Sequence, residues 1–279
     1  MGFILNDYLV ELKNVSVKSG SKYLLKDINW KIKKNEHWVV FGLNGSGKTT
    51  LLSMIAGFKE PTAGTIKVFG DTFTNDTILE MRKKIGWVSV SFFDNHYVKE
   101  SALNIVLSGK SGTLGLDINI TLDDVYRAKQ LLKEFCLGDK INYPFHLFSK
   151  GERQNILIAR ALFSNPEILI LDEPCTGLDI YNRSYLFSTI EALGENKEIT
   201  IIYVTHYVEE ILPLFQKTLL LKDGSIFSQG DTVKMFSNET MQGYLEYPVH
   251  IENLYDGQYR AKINVKTAIP RLLKQEEEL

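Results

Sequence analysis

The sequence predicts an α/β fold with a mostly parallel core sheet, an antiparallel β layer at the N-terminus and an inserted helical segment. Three observations support this prediction. Apolar runs of strand length alternate with helical patterns over much of the chain. Two half-buried strand patterns precede residue 36, and the pattern turns helical between about residues 95 and 165. Alternation of strands and helices is typical of a parallel sheet covered by helices.

Composition excludes several classes of protein. The 279 residues carry 44% hydrophobic and 24% charged side chains with a net charge of −2, an ordinary globular mixture without a global basic field. We therefore expect no nucleic-acid partner. No apolar run approaches the ~18 residues that span a bilayer, and the two cysteines lack metal or redox spacing. These features predict a cytoplasmic protein with two free thiols.

The first half of the chain supplies the strands of the antiparallel layer, then a buried strand, a glycine-rich loop and a helix. Alternating or β-branched residues mark the strands, and a continuous apolar run marks the buried one. The segments are YLVELKNVSVKSG, KDINWKIKK, the buried strand HWVVFG, the helix LLSMIAGF, and two further strands, GTIKVFG and KIGWVSV.

After these segments come the helical segment and then the second half of the chain. Thr121 and Asp124 have capping-box spacing, and Ser149 opens another helix. Further on, the chain reads as alternating strands and a helix, a hairpin around Asp223-Gly224, a strand pair and a charged tail. The segments are ESALNIVLSG, TLDDVYRAKQLLKEFC, EILILDE, NRSYLFSTIEALGEN, ITIIYVTH, KTLLLKDGSIFSQG, YPVHIENLYDGQYRAKINV and LKQEEEL.

The stretch GLNGSGKTT is a complete phosphate-binding loop. It follows an apolar strand and opens a helix, the context in which backbone N–H groups turn toward phosphate oxygens. Lys48 supplies positive charge and Thr49 a magnesium ligand. The residues expected to hold the nucleotide are Gly42, Leu43, Asn44, Gly45, Ser46, Gly47, Lys48, Thr49 and Thr50.

Three polar side chains follow buried strands. Asp172 ends ILILD, where its carboxylate is suited to hold hydrated magnesium, and Glu173 is suited to polarise an attacking water. His206 ends ITIIYVTH, where its imidazole is placed to contact a γ-phosphate or the water. We predict Glu173, His206 and Lys48 as catalytic, and Thr49 and Asp172 as metal ligands.

A second helix start, FSKGE, raises the question of a second phosphate. Ser149 and Glu152 form a capping box, which is sufficient to begin a helix. Gly151 is not explained by the box, because glycine in a first turn costs up to about 1 kcal/mol relative to alanine. Close approach of an anion to the helix N-terminus is the alternative explanation.

The order GLNGSGKTT, FSKGERQNILIARAL, ILILDEP, TGLD and VTH resembles the ATP-binding cassette ATPases, over roughly residues 8–235. The resemblance implies a P-loop NTPase core within residues 1–240, including the helical subdomain at about 95–165, and a C-terminal extension at 241–279. It also implies ATP and Mg²⁺ as cofactors. Single-cassette bacterial ATPases of the molybdate and iron types look most similar.

The same resemblance implies a head-to-tail homodimer with two sandwiched ATP molecules. Ser149 and Gly151 would contact the γ-phosphate held by the partner, and Asp179 would help to position the opposing site. It further implies a separate transmembrane permease and a place at the cytoplasmic face of the cell membrane.

Three positions depart from the family pattern. In FSKGE, residues 148–152, which resembles the signature segment of the family, Lys150 replaces the first glycine, and we expect it to be tolerated. Val90 stands where the family usually has a glutamine, with Ser89 or Ser91 as candidate substitutes. Ser19 aligns with the aromatic residue that stacks on adenine, and Tyr23 is the candidate replacement.

Two other functions stay open at this point. A soluble cassette ATPase that remodels cytosolic partners is one, favoured by the missing glutamine at residue 90. A degenerate cassette that binds nucleotide only as a regulatory module is the other, although the catalytic residue set is complete.

Overall fold

The computed structural model describes residues 8–115, 119–195, 197–254 and 257–263. Its strands are β1 (Tyr8–Ser19), β2 (Lys22–Lys33), β3 (Trp38–Phe41), β4 (Ala63–Val68), β5 (Ile85–Val88), β6 (Ile168–Asp172), β7 (Thr200–Thr205), β8 (Lys217–Lys222), β9 (Ser225–Asp231), β10 (Val249–Asn253) and β11 (Tyr259–Ile263). Its helices are α1 (Lys48–Ile55), α2 (Ile78–Lys83), α3 (Val90–Tyr97), α4 (Ala102–Ser108), α5 (Leu122–Glu134), α6 (Lys150–Phe163), α7 (Ile180–Gly194), α8 (Thr232–Met235) and α9 (Asn238–Leu245). The predicted charged tail LKQEEEL lies outside the described residues.

The central sheet has the order β5-β6-β7-β3-β8-β9 and confirms the mostly parallel core. Only β9 runs antiparallel, joined to β8 by the predicted Asp223-Gly224 turn. Strands β3, β5, β6 and β7 are buried along their whole length, which explains their continuous apolar sequences. Phe41 pairs with Thr205, and Asp172 pairs with Val204, so these strands end at one edge of the sheet.

The antiparallel layer has the order β2-β1-β4 and confirms the predicted N-terminal sheet. Its first two strands are the two predicted before residue 36, and a third, from residues 63–68, joins them. This strand follows α1 but pairs antiparallel with β1. The side chains of Ile66 and Val68 alternate with exposed residues, a pattern that suits a layer with one solvated face.

The helical segment begins earlier than predicted. KIGWVSV is a strand only to Val88, and α3 begins at Val90. The cause is packing, because Phe92 and Phe93 turn back onto Trp87 with ring centroids 4.4 and 5.8 Å away. Both predicted capping boxes are confirmed, at the starts of α5 and α6.

The C-terminal segment folds onto the core. Strands β10 and β11 form the predicted pair, and Tyr259 packs on Phe236 with ring centroids 5.3 Å apart. The division expected between residues 240 and 241 falls inside α9. Among the helices of the described ranges, none is long and apolar enough to cross a membrane.

Candidate functional site

The phosphate-binding loop lies in a cleft of about 430 Å³ between β2, the start of α1 and the β8–β9 turn. Clefts of similar volume occur elsewhere on the molecule, so the lining rather than the size distinguishes this one. The lining residues are Lys22, Tyr23, Leu24, Asn44, Gly45, Gly47, Lys48, Thr49, Thr50, Glu173, Asp223 and Gly224. Several predicted site residues therefore share one cleft.

Two glycines of the loop are required by its geometry. A Cβ at Gly42 would lie 2.4 Å from Ser46 Oγ and 2.9 Å from Leu221 O. Gly47 has a φ of +104°, and a Cβ there would lie 2.8 Å from Leu25 Cδ2. Only glycine combines that left-handed backbone with so close a neighbour. The loop is thus shaped by packing against β2 and β8.

Lys48 points back into its own loop. Its side chain is 5% exposed, and Nζ donates hydrogen bonds to Gly42 O at 2.7 Å and Leu43 O at 3.2 Å. The same ammonium lies 3.1 Å from Glu173 Oε1. A buried cation held among backbone carbonyls and one carboxylate is placed to receive a polyphosphate oxygen.

Asp172 is a buried carboxylate beside the loop. Burial raises its pKa to about 6, opposed by the hydroxyls of Ser89 and Thr49. Oδ2 accepts a hydrogen bond from Ser89 Oγ at 3.1 Å. Oδ1 is buried, and no donor within the described ranges reaches it. An unsatisfied buried carboxylate oxygen near a threonine hydroxyl is a donor set that fits Mg²⁺.

Glu173 and His206 are brought together although 33 residues separate them. His206 Nδ1 lies 3.3 Å from Glu173 Oε1, and the imidazole packs on Tyr207 with ring centroids 4.1 Å apart. Glu173 has a φ of +50°, and its N–H donates to Val204 O at 3.0 Å. The backbone bond to β7 holds Glu173 in an unusual conformation that places its carboxylate beside Lys48.

The structure places Tyr23 in the cleft, whereas Ser19 is not among the residues that line it. The Tyr23 ring is exposed, and Lys18 Nζ lies 4.5 Å from its centroid. An exposed aromatic face beside a phosphate-binding loop is suited to stack on a base.

Val90 stands where the family usually has a glutamine, and the serines on either side of it are connected to Asp172. Ser89 is fully buried, and its hydroxyl donates to the Asp172 carboxylate. Ser89 Oγ and Ser91 Oγ lie 3.2 Å apart. Val90 packs partly buried against the core. A two-serine link thus connects the first turn of α3 to the Asp172 carboxylate.

Ser149, Gly151 and Asp179 form a second cluster, and none of the three lines the cleft. Asp179 caps α7, with Oδ1 accepting from Asn182 N at 2.8 Å, and a Cβ at Gly151 would lie 3.3 Å from Asn182 Cγ. The Lys150 side chain extends across TGLD, residues 176–179, so that a Cβ at Gly177 would lie 2.7 Å from Lys150 Cδ. The signature and TGLD therefore pack together in one chain.

Two contacts of the phosphate-binding loop were not predicted. Gly224 N donates to Ser46 O at 3.0 Å, which ties the β8–β9 turn to the loop. Leu43 N donates to the hydroxyl of Tyr244 on α9 at 3.2 Å. The Asp-Gly turn is visible in the sequence, but no local pattern indicates that either element reaches the loop.

Comparison with known proteins gives consistent matches. The profile of the ABC transporter family matches residues 25–176. The chain is 40% identical over 245 residues to the uncharacterized ABC transporter ATP-binding protein YlmA of Bacillus subtilis, covering 87% of this chain and 93% of that one. It is 31% identical to the energy-coupling factor transporter ATP-binding protein EcfA1 of Streptococcus sanguinis, covering 84% and 83%. A solved dimeric bacterial ABC transporter cassette is similar with a TM-score of 0.71 and 28% identity, covering 80% and 98%.

Proposed function

This chain belongs to the ABC transporter family and is the ATP-binding, ATP-hydrolysing subunit of a transporter, and we propose how its residues divide that work. The observation that supports the proposal is the buried Lys48 ammonium, which contacts both the loop carbonyls and Glu173. Lys48 and the backbone of residues 42–50 bind the polyphosphate of ATP. Tyr23 stacks on the adenine.

Thr49 and Asp172 hold Mg²⁺ in this proposal. The free Oδ1 of Asp172 and the Thr49 hydroxyl are the protein ligands, and Ser89 orients the carboxylate through Oδ2. No group of three or more His, Cys, Asp or Glu side chains capable of holding a metal occurs in the described part of the chain. Mg²⁺ characteristically keeps few protein ligands and binds with substrate phosphates, where it neutralises developing charge.

Glu173 accepts the proton of the attacking water, and His206 orients this carboxylate through the contact between Nδ1 and Oε1. The contact between Lys48 and Glu173 in the same structure has a physical consequence. When Lys48 turns to a phosphate oxygen, Glu173 loses its cation partner and is free to bind water. Nucleotide binding thereby frees the Glu173 carboxylate to act as the general base.

We propose a head-to-tail homodimer for the active state. Ser149, Gly151 and Asp179 lie together outside the cleft of their own chain, so they do not contact the nucleotide that this cleft holds, and we assign them to a nucleotide held by a second copy. Beside Asp179, Ile180 and Tyr181 are 87% and 78% exposed. Two large apolar side chains left in solvent next to this cluster are expected to be covered by a partner.

The subunit works with a membrane permease, as expected of a transporter ATPase, and we propose that it sits at the cytoplasmic face of the membrane. Residues 1–240 form the cassette, with the helical subdomain at about 95–165, and residues 241–279 form its C-terminal extension. The remodelling ATPase is not favoured, because the curated relatives are transporter proteins. The regulatory alternative is not favoured either, since Lys48, Asp172 and Glu173 converge.

The dimer is tested by size-exclusion chromatography with light scattering. The protein used is Glu173→Gln, which we expect to bind ATP but hydrolyse it slowly. We expect ATP to convert Glu173→Gln from monomer to dimer. Adding Ser149→Arg should keep it monomeric while ATP binding is retained. Ser188→Arg, at an exposed serine on α7, is the matched control and should dimerise. A dimer that survives Ser149→Arg would show that the signature does not face the partner's nucleotide.

The permease is tested by affinity purification of the tagged chain from detergent-solubilised membranes of its native host, in parallel with the soluble fraction. We expect a multi-span membrane protein to co-purify. Recovery of soluble partners alone, with Glu173→Gln and ATP present to hold the closed state, would favour the remodelling ATPase.

A further inference from the structure

We propose that Tyr244 is a positioning residue for the phosphate-binding loop, through which the C-terminal segment sets the affinity for nucleotide. This inference rests on the proposed function of the loop. Tyr244 lies on α9, and its hydroxyl accepts a hydrogen bond from Leu43 N at 3.2 Å. A residue 201 positions away in the sequence thus holds the first peptide of the loop.

The bond acts on the peptide unit that also holds Lys48. Gly42 C=O and Leu43 N–H belong to one planar peptide. Its carbonyl accepts from Lys48 Nζ at 2.7 Å, while its N–H donates to Tyr244. In a trans peptide these two groups point in opposite directions, so Lys48 and Tyr244 fix the same plane from its two sides. Rotation that turned the carbonyl from Lys48 would also break the bond to Tyr244.

The hydroxyl of Tyr244 is itself oriented. It donates its proton to Leu221 O at 3.0 Å, which leaves a lone pair for Leu43 N–H. The ring is 1% exposed and packs at an angle against Phe41 and Phe227, with centroids 5.9 and 5.5 Å away. Burial raises the pKa of this hydroxyl, so it stays protonated at neutral pH. The Tyr244 side chain is therefore held in one rotamer, and its hydroxyl donates in one direction.

The backbone of Leu43 fixes its position. Its carbonyl accepts from Lys48 Nζ at 3.2 Å and from Ser46 N at 3.1 Å, and its N–H donates to Tyr244. The Leu43 side chain is 51% exposed, so packing does not hold it, and the backbone hydrogen bonds determine where it lies. The backbone of Tyr244 is anchored as well, since Lys222 Nζ donates to its carbonyl oxygen at 2.8 Å. Lys222 precedes the Asp223-Gly224 turn that lines the cleft. A displacement of α9 would therefore be transmitted to the loop through two hydrogen bonds.

The test is Tyr244→Phe in the full-length chain, with Tyr259→Phe as the matched control. Tyr259 lies in the same C-terminal segment and packs on Phe236. Phenylalanine keeps the ring contacts and removes only the hydroxyl that accepts from Leu43. Loss of a buried partner of this kind should weaken Mg-ATP binding by about 5- to 30-fold. We expect turnover at saturating ATP, measured with the permease present, to change less than threefold, because Glu173 and His206 are not among the described contacts of Tyr244.

Hydrogen exchange separates positioning from general stability. Without nucleotide, amides of residues 42–46 should exchange faster in Tyr244→Phe, while β6 and β7 keep wild-type protection. Lys222→Met, which retains the hydroxyl, should give a smaller change in the same direction. Wild-type affinity and exchange in Tyr244→Phe, or equal losses in Tyr259→Phe, would overturn the inference. If the wild type does not bind ATP, the proposed function has failed, whereas the exchange result still decides whether Tyr244 holds the loop.

Discussion

Replacing Asp172 with asparagine is expected to stabilise the metal-free, nucleotide-free protein while removing the carboxylate that we propose as a Mg²⁺ ligand. The carboxylate is buried, and its Oδ1 has no hydrogen-bond donor among the described residues. A charge in that environment destabilises the folded state, because water solvates it in the unfolded chain. Asparagine has nearly the same shape and no charge. Its Oδ1 can still accept the hydrogen bond from Ser89.

The magnitude follows from the pKa of Asp172, which is raised from 3.8 to about 6. At about 1.36 kcal/mol per unit, the ionised carboxylate costs the folded state roughly 3 kcal/mol at pH 7.5. Because the folded pKa is the higher one, the stability contributed by this group is present below pH 3.8. This stability is lost between pH 3.8 and about 6, so at pH 5 the cost of the ionised carboxylate is roughly half its full value. Counting the new amide N–H as a buried donor without an acceptor costs about 1–2 kcal/mol at every pH, so the expected gain is about 1–2 kcal/mol at pH 7.5 and close to zero at pH 5.

The assay is thermal unfolding in EDTA without nucleotide, at pH 7.5 and pH 5. For a chain of this size we expect Asp172→Asn to raise the melting temperature by about 2–8 °C at pH 7.5 and to leave it within about 2 °C of the wild type at pH 5. Asp71→Asn, at an exposed aspartate, is the control for loss of one negative charge. Mg-ATP should stabilise the wild type but add little to Asp172→Asn. Equal gains at both pH values, or a loss at pH 7.5, would refute the assignment of the cost to the buried charge.

Further predictions concern the water-activating residue, the serine link and the thiols. Glu173→Gln should lower ATP turnover by about 10²- to 10⁴-fold with ATP binding intact; near-normal turnover would remove Glu173 from the role of base. Ser89→Ala should raise the Mg²⁺ concentration for half-maximal hydrolysis about 10-fold. Ser91→Ala, one bond further from Asp172, should change it less, and the reverse order would contradict the link. Burial raises the pKa of Cys175 to about 12, so at pH 8 a thiol reagent should label only the exposed Cys136 until the chain unfolds. Rapid labelling of both in the native protein would contradict this.

The phosphate-binding loop was predictable because its chemistry is local. Nine consecutive residues set both the backbone turns and the charge, and the flanking strand and helix are visible as sequence patterns. The two capping boxes were predictable for the same reason, since donor and acceptor lie three residues apart. The helix starts that position the site are thus encoded in short stretches of sequence.

The sheet to which a strand belongs was not predictable. GTIKV follows the glycine loop and a helix, as a parallel strand would, but joins the antiparallel layer. Its alternation shows that one face is solvated, but alternation does not specify the neighbouring strand. The two strands predicted before residue 36 were confirmed, but the third strand of the layer was not assigned to it. The start of α3 at Val90 was missed because the aromatic packing of Phe92 on Trp87 outweighed the apolar strand pattern.

Contacts between residues that are distant in the sequence could not be predicted from it either. Ser89 meets Asp172 across 83 residues, and Leu43 meets Tyr244 across 201. A serine after a strand and a tyrosine in a short helix are ordinary residues in isolation. Only the parallel pairing of β5 with β6 places Ser89 beside Asp172. The pairing of strands creates the first contact, and the packing of α9 against β3 and β8 creates the second.

The structure also refines why α6 carries a glycine in its first turn. Its capping box satisfies the N–H groups of Ser149 and Glu152, which leaves those of Lys150 and Gly151 without an intrahelical partner. Asn182 lies close enough to disfavour a side chain at residue 151, so packing within the chain contributes to the choice of glycine. Packing alone does not account for a helix N-terminus with two open amide donors beside exposed apolar side chains at the start of α7. This is the arrangement expected of the proposed head-to-tail dimer, in which the nucleotide of a second copy would complete the half-site at the start of α6.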